Sequence, residues 1–299
     1  MPGKVKLATV WLQGCSGCHI ALLDLHQGLL ELLEKVDLMA SPIMDIKHLP
    51  EVDVVLVEGA VGNEENRERL LEARAKAKML VALGTCANFG GVGGLRNLYQ
   101  VEDVLARAYV DSESTTGGMV PRQVPALLDH VLPIDRVVKV DAYIPGCPPT
   151  PKMIKESLEA LLEGRRLPLP TKSLCDQCRR QQTEMLKPRR EFVTENVVSL
   201  MELEEIAPDQ CFLEQGILCM GPATRSGCEE RCLNANVPCR GCMGPVPGAL
   251  EQGAKMINAL SSILPAGALM WMEDTVGTGY RYSLPVSIIP GVRKEHGRG

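Results

Sequence analysis

Aromatic side chains are scarce: Phe, Trp and Tyr make up only 3% of the 299 residues. Single-stranded nucleic acid is held by aromatic platforms interleaved with basic groups. Neither is present, because the formal net charge is -5 and no basic run exceeds two or three residues. DNA and RNA are thereby excluded as the main partner. No stretch of 18 uninterrupted apolar residues occurs, so no membrane span is expected. Residues 1–12 carry neither a charged n-region before an apolar h-region nor a twin-arginine pair, and the chain is expected to stay in the cytoplasm. Internal repeats and low-complexity tracts are missing too. So is any acid–base dyad or activated nucleophile. The hydrophobic fraction of 45% does allow a sizeable core, and the length suits one large domain or two ordinary ones.

What the chain has in excess is cysteine, twelve in all. A cytosolic protein does not normally keep six disulfides, whereas thiolates bind zinc and iron–sulfur clusters. Four of them, Cys15, Cys18, Cys86 and Cys147, are scattered over the first 150 residues. The other eight, Cys175, Cys178, Cys211, Cys219, Cys228, Cys232, Cys239 and Cys242, crowd into a 68-residue stretch. Between the two groups lies Gly-Arg-Arg-Leu-Pro-Leu-Pro-Thr-Lys-Ser (164–173), a linker by composition. A boundary there gives domains of 1–165 and 166–299.

The first part alternates strand and helix patterns. Strands are expected at 5–12, 36–40, 52–57, 79–83 and 137–144. Helices are expected at 18–35, interrupted only at Gly28; at 63–78, opened by a capping Asn63; and at 150–163, with Thr150 as N-cap and Pro151 at the first position. That alternation implies a parallel α/β sheet. Cys15 and Cys18 follow the first strand, Cys86 the 79–83 strand and Cys147 the last one. All lie at carboxyl ends of strands, where open α/β sheets carry their ligand crevice. Four thiolates from distant parts of the chain are therefore expected to meet there as a metal site.

Several readings stay open at this point. One Cys-x2-Cys pair and two singletons suit a cluster better than a zinc knuckle. Cys15-Ser-Gly-Cys18 also has the form of a thioredoxin-type pair, which would leave Cys86 and Cys147 unexplained. The eight later cysteines make two quartets for clusters or for structural zinc, although the compact ferredoxin spacing is absent. Cys239-Arg-Gly-Cys242 could be half of a nickel site, with Cys175/Cys178 as the other half. Gly90–Gly94 lacks the context of a dinucleotide fingerprint and reads as a mobile or close-packed loop beside Cys86. His19 could hydrogen-bond a cluster sulfur or simply start a helix. His26, His48, His130 and His296 are isolated.

In combination the motifs resemble the small, iron–sulfur subunit of NiFe hydrogenases. They are Gly14-Cys15-Ser-Gly-Cys18, Val57-Glu58-Gly59, Gly84-Thr85-Cys86 with Gly90-Gly91, and Pro145-Gly146-Cys147-Pro148-Pro149. They continue through Cys211, Cys219-Met-Gly-Pro222, Cys228 and Pro238-Cys239-Arg-Gly-Cys242-Met-Gly-Pro245. The related small quinone-reductase subunit of respiratory complex I looks different, with adjacent cysteines in the first motif and no eight-cysteine domain. Cys219-Met-Gly-Pro-Ala-Thr224 and the tail 276–285 look like the methyl-viologen-reducing, deazaflavin-non-reducing, cytoplasmic type found in methanogens. The sulfhydrogenase small subunit is a near neighbour.

The resemblance implies a flavodoxin-like first domain, an irregular cluster-binding second domain, and an oxidoreductase complex acting on hydrogen. Cys15, Cys18, Cys86 and Cys147 would hold a proximal 4Fe–4S cluster. Cys228, Cys232, Cys239 and Cys242 would hold a medial one, and Cys175, Cys178, Cys211 and Cys219 a distal one. Nickel and iron would sit on a partner large subunit. The electron acceptor would be a ferredoxin-like or iron–sulfur subunit linked to heterodisulfide reductase. Respiratory relatives carry a His where Cys175 stands, a Pro near Cys232 and an acidic residue near Ile20. The first two differences imply all-cysteine clusters, and the third removes an acid–base role from that position.

Overall fold

A computed structural model describes residues 3–44, 46, 48–182, 205–263, 272 and 274–288, which include all twelve cysteines. Five strands form one sheet in the order β2-β1-β3-β5-β7, every neighbouring pair parallel. They are β1 (Val5–Trp11), β2 (Val36–Ala40), β3 (Val52–Glu58), β5 (Ala77–Leu83) and β7 (Ala142–Ile144). The remaining two, β4 (Val61–Asn63) and β6 (Leu127–Leu132), pair antiparallel in a separate ribbon. This is the flavodoxin-like α/β domain the sequence implied. Its central strands are near-continuous apolar runs because both faces of a parallel sheet are covered. Val55, Leu56, Val57, Leu80, Val81 and Ala82 are all fully buried.

Helices α1 (Gly17–Leu23), α2 (Gln27–Lys35), α3 (Glu64–Lys76), α4 (Gly84–Phe89), α5 (Val101–Tyr109) and α6 (Pro151–Leu162) join these strands. Two helix starts are legible in the residues. Asn63 Oδ1 accepts the Asn66 N–H (2.8 Å) at the head of α3, and Thr150 Oγ1 accepts the Met153 N–H (3.1 Å) at the head of α6. Glu64 and Glu65 open α3 while Arg74 and Lys76 close it, each end matched to the helix dipole.

Three expectations need correction. The single helix over 18–35 is two helices, and the break falls at Asp24–His26 rather than Gly28, with His26 at φ 50°. The strand expected over 137–144 is only Ala142–Ile144. Ile134–Arg136 is a 3-10 turn, and Val137, Val138 and Val140 pack on the core without joining the ladder. Just before β7, Asp141 takes over the pairing: its N–H donates to Leu80 O (2.9 Å) and its carboxylate accepts the Leu80 N–H (2.8 Å) and Arg74 Nη1 (2.6 Å). The 79–83 strand begins two residues early, at Ala77. The β4–β6 ribbon and α5 had no counterpart in the sequence expectation.

Two units separate by internal packing: Met1–Arg166 with Tyr282–Gly299, and Leu167–Arg281. Within the first unit, Pro285 packs against Gly90 and Gly94. The second unit has short helices, α7 (Arg231–Asn234), α8 (Gln252–Ile263) and α9 (Thr275–Gly279), joined by turns. Its core gathers Phe212, Ile217, Met220, Met256 and Leu260 around Cys219 and Cys239. No helix among the described residues is long and apolar enough to cross a membrane. Removing the α6 cap by Thr150→Ala should cost about 1 kcal/mol, while Thr150→Ser should restore most of it; the urea midpoint of each variant measures the difference.

Candidate metal centres

Strands β1 and β3 are the neighbours at which the strand order reverses, the topological switch point beside whose carboxyl ends α/β sheets carry their ligand crevice. Trp11, Glu58 and Leu83 end three strands at matching heights. Cys15 and Cys18 follow β1, Cys86 stands in the first turn of α4 directly after β5, and Cys147 follows β7 by way of Pro145-Gly146. The pairing continues past the strands: Leu12 N–H donates to Glu58 O (2.8 Å) and Gln13 N–H to Ala60 O (3.0 Å). Gly59, at φ +95°, lets that continuation pass, since a Cβ there would stand 2.8 Å from the Leu12 carbonyl carbon. Gly84 serves the thiols directly. Its φ is +83°, and a Cβ would collide with the Cys18 sulfur.

Hydrogen bonds lock the cysteine-bearing loops together. Thr85 N–H donates to Gly146 O (2.7 Å), and Gly146 N–H donates back to Thr85 Oγ1 (3.2 Å), tying the Cys86 loop to the Cys147 loop. Asn88, buried, donates from Nδ2 to Gly84 O (2.7 Å) and Ile144 O (3.2 Å). Helix α1 has no side-chain cap of its own at Ser16. Glu58 supplies one from across the sheet, accepting the Cys18 N–H (3.3 Å) and the His19 N–H (2.9 Å).

His19 is buried, and both its ring nitrogens have oxygen partners. Its Nδ1 meets Glu58 Oε2 and its Nε2 meets Thr9 Oγ1 (3.0 Å), which donates on to Ser41 Oγ (2.8 Å). Of the two roles open to it, the structure therefore selects the helix-start one. Ile20 is exposed, and so are His26, His48 and His130; His296 lies outside the described residues. The glycines at 90–94 are close-packed: Gly91 lies against Cys86, with the Cys86 sulfur 2.5 Å from where its Cβ would be.

None of the twelve cysteines is joined in a disulfide. Burial pushes the Cys18 thiol up, and the Glu58 carboxylate and then Cys86, Cys147 and Cys15 push it further. Cys86 is pushed up to about 12 by burial and by Cys147, Cys15 and Glu58. Cys147 shifts the same way, through burial, Cys15 and Glu58. Cys18 is thus within electrostatic reach of Cys86, Cys147 and Cys15.

In the second unit Cys175, Cys178, Cys211 and Cys219 line one small apolar cavity with Phe212, Leu213 and Leu233. Burial and the neighbouring thiols push Cys175 up; Cys219 is pushed up to about 11, burial outweighing backbone N–H bonds from Gly221 and Cys239. The remaining four assemble as two pairs: Cys228 beside Cys232, and Cys239 beside Cys242, with Cys239 also beside Cys219. Arg180, buried and not singled out by any motif, pins this unit. It donates to Ala207 O and Gln210 O (2.8 Å each) and to Asn236 Oδ1, and its guanidinium lies 4.0 Å from the Phe212 ring centre.

Among the described residues no three His, Cys, Asp or Glu side chains are close enough to share one metal ion. A mononuclear zinc site draws four sulfurs onto one ion at about 2.3 Å each. Buried thiols that raise one another cannot all ionise unless cationic charge is supplied among them, and a coordinated thiol is deprotonated outright.

The family NADH ubiquinone oxidoreductase, 20 Kd subunit, matches residues 15–161. The F420-non-reducing hydrogenase G subunit of Methanothermobacter marburgensis is 40% identical over 313 aligned positions, covering 100% of both chains. The F420-non-reducing hydrogenase vhu G subunit of Methanocaldococcus jannaschii is 43% identical over 289 positions, covering 95% of this chain and 96% of that one. A chain in the crystal structure of an NAD+-reducing [NiFe]-hydrogenase in the H2-reduced state superposes with a TM-score of 0.55 at 42% identity, covering 56% of this chain and 96% of that one. Fold, thiols and relatives together define an iron–sulfur, electron-transferring hydrogenase subunit. The chain belongs to the family of F420-non-reducing hydrogenase G subunits.

The raised thiols carry a pH dependence. In the folded, metal-free chain Cys86 and Cys219 keep their protons to about 12 and 11, against an ordinary 9.0. Their stabilising contribution is complete below that ordinary value and is lost as the pH climbs toward the folded values, because only the unfolded chain releases the protons early. The urea midpoint of metal-free protein should fall across this window. Metal-loaded protein, its thiolates already deprotonated, should not show that loss from these groups.

Proposed function

We propose that this chain carries electrons from H2 oxidation at a nickel–iron site on a partner large subunit, through three 4Fe–4S clusters, to a redox partner such as a heterodisulfide reductase. The observation that supports it most is the convergence of Cys15, Cys18, Cys86 and Cys147 at the sheet's switch point, fixed by Thr85, Asn88 and Glu58. These four would hold the proximal cluster. Cys228, Cys232, Cys239 and Cys242 would hold the medial one, and Cys175, Cys178, Cys211 and Cys219 the distal one.

Each cluster, when bound, supplies one-electron chemistry. The chain's own part is to ligate, bury and hydrogen-bond. Thiolate ligands place negative charge at each centre, buried apolar walls limit water, and N–H donors to sulfur offset the charge. Gly241 N–H to the Cys239 sulfur (3.4 Å) and Cys239 N–H to the Cys219 sulfur (3.3 Å) are two such donors. Electron relay asks for no acid–base pair, and none is assigned.

In anaerobically prepared complex this chain should account for about twelve irons, four for each four-thiolate cluster, beyond the iron its partner subunits carry. Iron and sulfide assays decide this; a value near about four, or zinc in place of iron, overturns the three-cluster reading. Cys15→Ser or Cys147→Ser should abolish H2-dependent dye reduction by the complex while H2–D2 exchange at the partner persists. Dye reduction at the unaltered rate in either variant would contradict the proximal assignment.

A further inference from the structure

The second unit holds a buried amide that thiol ligation does not require. Gln252, the first residue of α8, is 3% exposed. Its Nε2 donates to Gly241 O (2.9 Å) and to Thr224 Oγ1 (3.3 Å). Thr224 is 1% exposed, and its hydroxyl donates to Met220 O (2.6 Å) and also stands beside the Cys239 sulfur. One side chain from α8 thus grips two segments, the turn between Cys239 and Cys242 and the stretch that follows Cys219. Those segments also bond directly. Cys239 N–H donates to the Cys219 sulfur (3.3 Å), and Met220 N–H donates to Cys239 O (2.9 Å).

The Thr224 hydroxyl has a single proton to give. Gln252 fills its accepting side, so the proton faces either Met220 O or the Cys239 sulfur. Reduction of a cluster adds a negative charge that spreads onto its thiolate sulfurs, and this draws the proton toward sulfur. A donor at sulfur favours the reduced state and raises the potential. Gln252 holds the Thr224 oxygen in place between these two acceptors, and it fixes the Cys239–Cys242 turn against the Cys219 segment.

We propose that Thr224 and Gln252 are positioning residues that raise the reduction potential of the cluster held by Cys239 and hold that cluster against the one held by Cys219; this rests on the three-cluster reading. Nothing in the cysteine pattern assigns either residue a part.

The test is a redox titration of the whole complex followed by electron paramagnetic resonance, with iron content measured in each preparation. Thr224→Val keeps the side-chain shape and removes the hydroxyl, so the Cys239 cluster should titrate at lower potential while the cluster at Cys15 stays where it was. Thr224→Ser should titrate as the unaltered complex. Gln252→Met should shift the same centre in the same direction, and the double variant should move little beyond the larger single shift, since both side chains act in one chain of bonds. An unshifted Thr224→Val with full iron overturns the inference, as does a Thr224→Ser shift as large as that of Thr224→Val. If Thr224→Val loses the cluster, Gln252→Met decides: a lowered potential supports the inference and an unmoved one overturns it. An unaltered chain with only about eight irons and no centre at Cys239 sinks the three-cluster reading and the inference together. Unmoved potentials in fully loaded variants sink the inference alone.

Discussion

Parallel pairing of β1, β3, β5 and β7 sends all four strands to end on one edge, and the first thiol quartet exists only because of it. Cys15 and Cys147 are remote in sequence, yet each is delivered by the strand before it. Shifting β3 by one residue against β1 would turn Glu58 to the opposite face. The head of α1 would then lose the carboxylate that accepts its Cys18 and His19 N–H groups. Glu58 therefore works in both directions. It caps a seven-residue helix too short to stand alone, and it sets negative charge beside thiols that must give up protons to bind metal.

That charge has a physical cost which a metal centre relieves. Without cations among them, burial and mutual repulsion keep the first-quartet thiols Cys18, Cys86 and Cys147 protonated well above their ordinary range. Metal binding couples to deprotonation and so to folding. The same arrangement that is unfavourable for free thiolates is thus selective for a group that brings positive charge into the space between them.

Among its described residues the second unit solves the same problem without a sheet. Its helices are short, and its turns are fastened by side chains reaching backbone carbonyls: Arg180 to Ala207 and Gln210, Gln252 to Gly241. A small core of this kind is commonly completed by metal ligation. The cysteines lie within that core rather than beside it, Cys219 and Cys239 being buried among Phe212, Met220 and Met256.

Local information was enough for much of this. Apolar runs such as Val52–Val57 mark buried strands, Asn63 and Thr150 mark helix starts, and the placement of Cys86 and Cys147 after strands marks the crevice, since each signal is carried by neighbouring residues. Other features depended on partners far along the chain. His19 turned to Glu58 and Thr9 because β1 and β3 place a carboxylate and a hydroxyl on either side of its ring. β7 shrank to three residues because Asp141 took over the pairing with Leu80. Arg180 and Gln252 look like ordinary polar residues in the sequence; their bonds to carbonyls 11 to 30 residues away form only once the turns they fasten have been brought beside them.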